Sequence, residues 1–399
     1  MTVILGGHHA SGDAETILKH QPIIDYVIYN EGEVPLHQLL TSFPNVTEVP
    51  GLVYRSGPDI VKNSSPALLD KTELDLIPLT YEGWELSNSP GKLGHVTYVS
   101  ARGCPLQCAF CAVGSRQIRY KSIPQICNDI SRLVAMGHSR IAFEDNFFAH
   151  NRLRTRAICE ALIELRAHGI NFSWDCQTRV ESLDNPEAIS LMERAGCEAV
   201  FLGVESFNAD VLTFLEKTRD PRGYVSRLND RVVPQLLNSS ISCYFNLVFG
   251  IPGETGLQIE ENIASMAHLG TQAAQKGKKI TIFPQLFVVY PGTAHFRHYR
   301  ELLVLPANAF ESFTLWESEQ KPILKWLGET FAHGTGGIPL GLLDQTELWE
   351  GKYKIRKEIV RQISETIMRL GSLPGVEVFQ YGQSLIPEAS CLIEEEVYG

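Results

Sequence analysis

Val96-Thr97-Tyr98-Val99-Ser100-Ala101-Arg102-Gly103-Cys104-Pro105-Leu106-Gln107-Cys108-Ala109-Phe110-Cys111 is the stretch on which the reading of this chain turns. The strand candidate His95–Val99 runs directly into three cysteines at spacings of four and three. Gly103 and Pro105 keep the intervening segment out of regular structure. Thiolates so spaced can converge on one metal centre. Three are one short of the four that saturate a [4Fe–4S] cluster, which leaves one iron open to bind and activate a substrate. A structural zinc site normally closes with a fourth Cys or His, whereas the nearest upstream histidine here is His95 and no second Cys pair exists. A disulfide is disfavoured for a chain with no export signal, and chance spacing of unrelated buried cysteines is the remaining alternative.

Working outward, strand-like and helix-like segments alternate from about residue 96 to 295. Strands are expected at His95–Val99, Arg140–Phe143, Phe172–Cys176, Ala199–Gly203, Ser242–Phe249 and Ile280–Val289. Between them lie amphipathic helical patterns. Ile126, Ile130, Leu133 and Val134 form one stripe, closed by Gly137. Asn185-Pro186 supplies a cap and a first-turn proline before Ile189 and Met192, with Gly196 as the stop. Thr255 can cap a helix carrying Ile259, Ile263 and Met266. Six strands, each followed by a helix, imply a parallel sheet with right-handed crossovers, either doubly wound or a barrel. The repeat of the strands suits a barrel or partial barrel, whose chemistry sits at the C-terminal ends of the strands.

Two flanking segments complete the division. Residues 1–90 read as a small α/β segment: a strand at Val3-Ile4-Leu5 before Gly6-Gly7, a helix, a strand at Ile23–Ile28, and Glu31-Gly32-Glu33 opening a second helix. Two strands and two helices are too few to bury a doubly wound sheet alone, so this piece is expected to pack on the rest. From residue 60 to 95, Pro66, Pro78, Pro90 and Gly91 give the look of a linker. Residues 91–298 form the core, and 299–399 a mainly helical extension with one convincing helix, carrying Ile355, Ile359, Ile363, Ile367 and Leu370, placed over the barrel mouth.

Composition narrows the function. The 399 residues imply two to three domains at roughly 150 residues each. The 44% apolar and 20% charged residues are those of an ordinary globular protein. No long uncharged apolar run is present and the N-terminus lacks a basic leader, so no membrane span is expected and the cytoplasm is the expected compartment. The net charge of −11 argues against nucleic acid as the main partner. Six of the nine cysteines are scattered singly.

Ser100–Cys111, including the aromatic residue before the third cysteine, resembles the cluster loop of the radical S-adenosylmethionine (SAM) enzymes. The resemblance continues through Phe143-Glu144-Asp145-Asn146-Phe147, Gln177-Thr178-Arg179, Gly203-Val204-Glu205-Ser206, Phe249–Thr255 and Tyr290-Pro291-Gly292-Thr293. It implies a partial (β/α)6 TIM-like barrel, a [4Fe–4S] cluster on Cys104, Cys108 and Cys111, and SAM contacts from Phe110, Glu144, Asp145, Asn146, Glu205, Ser206, Gly250 and Pro252. Arg179 is a possible substrate or ion-pair residue, and Cys391 a tail thiol able to reach the barrel mouth.

The first 90 residues are similar to the second half of the cobalamin-binding domain that precedes one radical SAM subgroup, giving a half-Rossmann-like segment. Gly7 stands where that domain's ligand loop would carry an Asp, and the loop itself would lie before Met1, so cobalamin is not expected to bind. His8 and His9 are read as satisfied turn residues.

The resemblance implies reductive cleavage of SAM and radical modification of a small molecule, with a flavodoxin or ferredoxin as reductant. Three other readings stay open: 3-amino-3-carboxypropyl transfer with release of methylthioadenosine, cobalamin-dependent methyl transfer, and a non-catalytic iron–sulfur protein for electron transfer or regulation.

Overall fold

The computed structural model describes residues 1–79, 95–299 apart from Val288, and 357–379. In the first segment β1 (Ile4–Leu5) and β2 (Tyr26–Ile28) pair in parallel, and β3 (Leu52–Ser56) and β4 (Asp59–Lys62) extend the sheet antiparallel. The helices α1 (His8–Gly12), α2 (Ala14–His20) and α3 (Glu33–Ser42) accompany it. Ala10, Ala14, Ile17, Leu18, Val27 and Val53 make one small core, while Leu39, Val46, Val49, Leu52 and Tyr54 make another. Arg55 donates to the carbonyls of Leu18, Gln21 and Ile24, closing the end of α2.

The segment is therefore fuller than expected. Gly57, in the left-handed region at φ 60°, turns β3 back onto β4. The stretch read as linker holds β4 and α4 (Lys71–Leu76), the latter started by a capping box in which Asp70 accepts from the Glu73 N–H and Glu73 accepts from the Asp70 N–H. Pro90 and Gly91 lie outside the described residues.

The barrel strands follow: β5 (Val96–Tyr98), a small antiparallel hairpin of β6 (Ala101–Arg102) and β7 (Arg119–Tyr120), then β8 (Arg140–Phe143), β9 (Ser173–Thr178), β10 (Cys197–Glu205), β11 (Ser242–Phe249), β12 (Ile280–Leu286) and β13 (Val376–Val378). Apart from the hairpin they form one sheet in the order β13-β12-β11-β10-β9-β8-β5, every neighbouring pair parallel. This is the partial barrel of the TIM-like class, with seven strands where six were expected. β13 is only three residues long and its apolar pattern is too short to stand out.

The connections are α5 (Ile123–Ala135), α6 (Arg152–Ala167), α7 (Pro186–Arg194), α8 (Ala209–Phe214), α9 (Pro221–Arg227), α10 (Val233–Asn238), α11 (Gly256–Gln275), α12 (Ala294–Tyr299) and α13 (Lys357–Ser372). The expected caps form. Asn185 accepts from the Glu187 N–H, and Thr255 makes a capping box with Gln258. Gly137 takes φ 94° beyond α5. One face of the strands, with Phe143, Trp174, Val200, Leu202, Phe245 and Leu247, is buried against the helices. The alternate residues Asp175, Gln177, Phe201, Gly203, Tyr244 and Asn246 remain half-buried or exposed on the other face and line the lumen. There Phe201 stacks on Tyr244 with ring centroids 4.7 Å apart. No described helix is long and apolar enough to cross a membrane. Cys391 and most of the 299–399 extension lie outside the described residues.

Candidate metal centre and cofactor site

The cysteine loop follows the C-terminal end of β5 and is pinned by backbone hydrogen bonds within itself and to Ser115, Leu215 and His295. Gly103, at φ 85°, admits no side chain, because a Cβ there would stand 2.3 Å from the Gln117 carbonyl oxygen. The Cys104 N–H donates to the Ser115 carbonyl at 3.0 Å, and the Cys111 N–H to the Cys108 carbonyl at 3.1 Å. The Ala109 peptide is held on both sides, its N–H by the Leu215 carbonyl and its own carbonyl by the His295 N–H. Cys104 and Cys108 are buried, Cys111 is half-buried, and every described cysteine is a free thiol. Burial pushes the Cys111 thiol up, and Cys108 and Cys104 beside it add to the effect. Among the described residues no group of three or more Cys, His, Asp and Glu is placed to hold a metal ion. Three thiols at spacings of four and three are a donor set for a [4Fe–4S] cluster with one iron not held by the protein. The donor set fits a cluster of that kind, with Cys104, Cys108 and Cys111 as its protein ligands.

Asp145 and Ser206, expected at SAM, are spent on the chain itself. Asp145 is 1% exposed and accepts from the Ser100 N–H at 2.6 Å, the Ala101 N–H at 2.8 Å and the Ser100 hydroxyl at 2.5 Å. It fixes the exit of β5 just ahead of the cysteines, and its burial raises its pKa above the ordinary carboxylate range. Arg154 completes this corner by donating to the Ser100 carbonyl and hydroxyl, with its guanidinium 4.4 Å from the Tyr120 ring centroid. Ser206 is fully buried and donates to the Asn262 side-chain oxygen at 3.0 Å on α11. Gly250 and Pro252 lie in a turn that Glu254 closes by accepting from the Gly250 N–H. Glu144 and Asn146 are exposed at the end of β8, and Gln177 donates to Glu144 at 3.4 Å. Burial and the nearby Asp175 raise the Glu144 pKa.

Glu205 does reach the cysteine side, for a backbone reason. The β10–β11 register slips between Gly203 and Glu205, and Glu205 takes φ 64°. Its carboxylate turns back over Gly203 to meet Lys217 at 2.7 Å, both side chains less than a tenth exposed. Gly203 makes room: a Cβ there would lie 2.6 Å from both the Glu205 oxygen and the Lys217 nitrogen. Lys217 Nζ also sits 6.0 Å from the Phe110 ring centroid. Phe110 packs against the cluster of Val211, Leu215, Val248, Ile251 and Phe287.

Arg179 belongs to the same neighbourhood. It is 9% exposed, and one terminal nitrogen donates to Cys108 Sγ at 3.5 Å. The other donates to the Lys217 carbonyl and to Glu181, and Nε reaches Glu181 at 3.3 Å. All three nitrogens are engaged within the chain. Sequence reading did not single out Lys217 or Glu181; the charged Lys217 follows Glu205 by twelve residues across a helix, which no local pattern marks.

The N-terminal segment docks against this loop. Glu31 takes both terminal nitrogens of the buried Arg119, at 2.8 and 2.6 Å, and the Leu69 N–H. Glu33 accepts from Arg102, one residue before Gly103, at 2.5 Å. At Gly12 a Cβ would lie 2.5 Å from Pro291, so α1 meets the 290–293 turn backbone to backbone.

Comparison with known proteins places these features. Residues 98–265 match the Radical SAM superfamily profile. An uncharacterized methyltransferase of Pyrococcus horikoshii is 25% identical over 286 residues, covering 68% of this chain and 59% of its own length. The cobalamin-dependent radical SAM methyltransferase TokK of Streptomyces tokunonensis is 23% identical over 313 residues, covering 71% of this chain and 43% of its own. The radical SAM methyltransferase TsrM from Kitasatospora setae, solved with cobalamin and a [4Fe–4S] cluster, superposes with a TM-score of 0.62 at 16% identity, over 77% of this chain and 61% of that one. The chain thus spans less than two thirds of each of these three relatives. Residues 98–265, which hold the cysteine loop, thus carry a radical SAM domain, and the chain resembles the cobalamin-dependent radical SAM methyltransferases.

Proposed function

We propose that this enzyme cleaves SAM reductively and uses the resulting radical to modify a small molecule held in the barrel lumen. The observation that carries the reading is the convergence of Cys108, Phe110, Arg179 and the Glu205–Lys217 pair at the C-terminal ends of the strands. When bound, a [4Fe–4S] cluster and SAM supply one-electron cleavage of a C–S bond; the chain supplies position and exclusion of water. Cys104, Cys108 and Cys111 would hold the cluster. Phe110 and its apolar neighbours, with Ile251 beyond the end of β11, offer a face for the adenine, and Glu205, fixed by Lys217, is an acceptor for the hydroxyls or ammonium of SAM. Glu144, Asn146, Gly250 and Pro252 line the same strand ends. Gln177, Tyr244 and Asn246 present polar atoms to a substrate in the lumen. The electron comes from a low-potential donor of the flavodoxin or ferredoxin class in a reducing cytoplasm.

A second reading, methyl transfer with cobalamin, is favoured by the names of the relatives. The two part on the corrinoid: radical modification without it matches the sequence reading, whereas methyl transfer requires it. The protein would be reconstituted without oxygen, reduced with dithionite and given SAM, with and without hydroxocobalamin, and the SAM-derived products separated by chromatography. The proposal expects 5′-deoxyadenosine. S-adenosylhomocysteine formed only with the corrinoid supports methyl transfer, and methylthioadenosine would replace both with aminocarboxypropyl transfer. A chain that takes up iron yet never consumes SAM would leave the electron-transfer reading.

A further inference from the structure

We propose that Arg179 sets the reduction potential of the iron–sulfur centre through its N–H donation to Cys108 Sγ, with Glu181 as the counter-charge that moderates it. The inference rests on the cluster assignment above and goes beyond it by giving a role to a residue otherwise read as a substrate contact.

The geometry commits Arg179 chiefly to the chain itself. The guanidinium is nine-tenths buried, and its three nitrogens go to Cys108 Sγ at 3.5 Å, to Glu181 at 3.0 and 3.3 Å, and to the Lys217 carbonyl. Four of its five N–H donors are thus spent within the chain. The arginine lies at the exit of β9, so the strand fixes its backbone, and the three acceptors fix its plane. It stays protonated at any working pH, so its charge is constant.

A permanent cation beside a cluster ligand acts differently on the two oxidation states. Reduction adds one electron and no proton, so the reduced centre is more negative by one charge. The buried guanidinium favours that state and raises the potential, as hydrogen bonds to cluster sulfurs and local charge generally do. Glu181, a third exposed in its side chain, opposes it more weakly because solvent screens it. The same arginine holds the carbonyl of Lys217, whose ammonium fixes Glu205. One residue thereby ties the cluster ligand to the acceptor proposed for SAM.

The test uses the full chain, reconstituted without oxygen, titrated potentiometrically with dithionite and followed by the EPR signal of the reduced cluster. Arg179→Gln is expected to keep its iron and to make the centre about tenfold harder to reduce, a shift of about 59 mV to lower potential for one electron. Glu181→Gln is expected to shift the midpoint the opposite way by less. Unchanged midpoints in both variants at full iron content, or shifts of the same sign, would overturn the proposal, since a structural disturbance has no reason to follow charge. If Arg179→Gln does not fold, the upward shift in Glu181→Gln still decides. A wild-type chain that takes up no iron would instead overturn the cluster assignment, and this inference with it.

Discussion

Glu205 and Lys217 make a buried ion pair in which each partner has lost its water. Such a pair contributes little net stability over an apolar pair of the same shape, but removing one member strands the other, at a cost of about 3–5 kcal/mol. Lys217→Met is therefore expected to lose stability of that order in a denaturant titration of the cluster-free chain. Adding Glu205→Gln to it should recover most of the loss, because a neutral amide tolerates the site better than an unpaired carboxylate. A double variant as unstable as the sum of its single changes would show that packing, and not the stranded charge, carries the effect. The cluster-loaded single variant should also bind SAM more weakly by at least tenfold, read from the SAM-dependent change in its EPR signal.

The β5 exit shows how an element prepares a site without touching its ligand. Asp145, at the end of β8, takes three donors from Ser100 and Ala101, so neighbouring strands lock the segment that leads into Cys104. Hydrogen bonds to a charged acceptor are each worth about 1.5–3 kcal/mol. Asp145→Ala removes all three, and should lower stability by at least about 4 kcal/mol and reduce the iron bound per chain; retention of full iron would refute the anchoring role. Sequence showed that Asp145 and Ser206 occupy strand exits, but not which way they face. That depends on register and on single dihedral angles, such as the φ of 64° at Glu205. The central strands were legible because their apolar runs are bounded by caps and glycines; β8 and β11 fall on the expected residues. β13 and the β3–β4 hairpin were not, because short strands gain their stability from partners far along the chain. The cysteine loop was readable because its meaning lies in spacing alone.

At the scale of the whole molecule, the N-terminal segment and the barrel meet around the cluster loop through carboxylates and a close backbone approach. Burial alone would raise the Glu31 and Glu33 pKa values, but the arginines and N–H groups beside them outweigh it and hold both below the ordinary carboxylate range. Their stabilisation is then complete above pH of about 4.5 and is lost as the pH falls through the lowered folded values. In thermal melts of the cluster-free chain, Glu31→Gln should flatten that acid-side slope; an unchanged slope would mean the interface does not titrate through Glu31.

The backbone approach gives a sharper test. A leucine at Gly12 would place its Cβ 2.5 Å from Pro291, where no rotamer relieves the clash. Either α1 lifts away or the 290–293 turn moves. That turn carries Thr293, whose hydroxyl accepts from the Phe296 N–H at the start of α12, and the neighbouring His295 N–H holds the Ala109 carbonyl between Cys108 and Cys111. Gly12→Leu should therefore lower the melting temperature and also the iron retained after reconstitution, although residue 12 is remote in sequence from the cysteines. Loss of stability with full iron would mean that α1 lifts and the turn holds. Loss of both would mean that the seating of the N-terminal segment is part of what shapes the cluster loop.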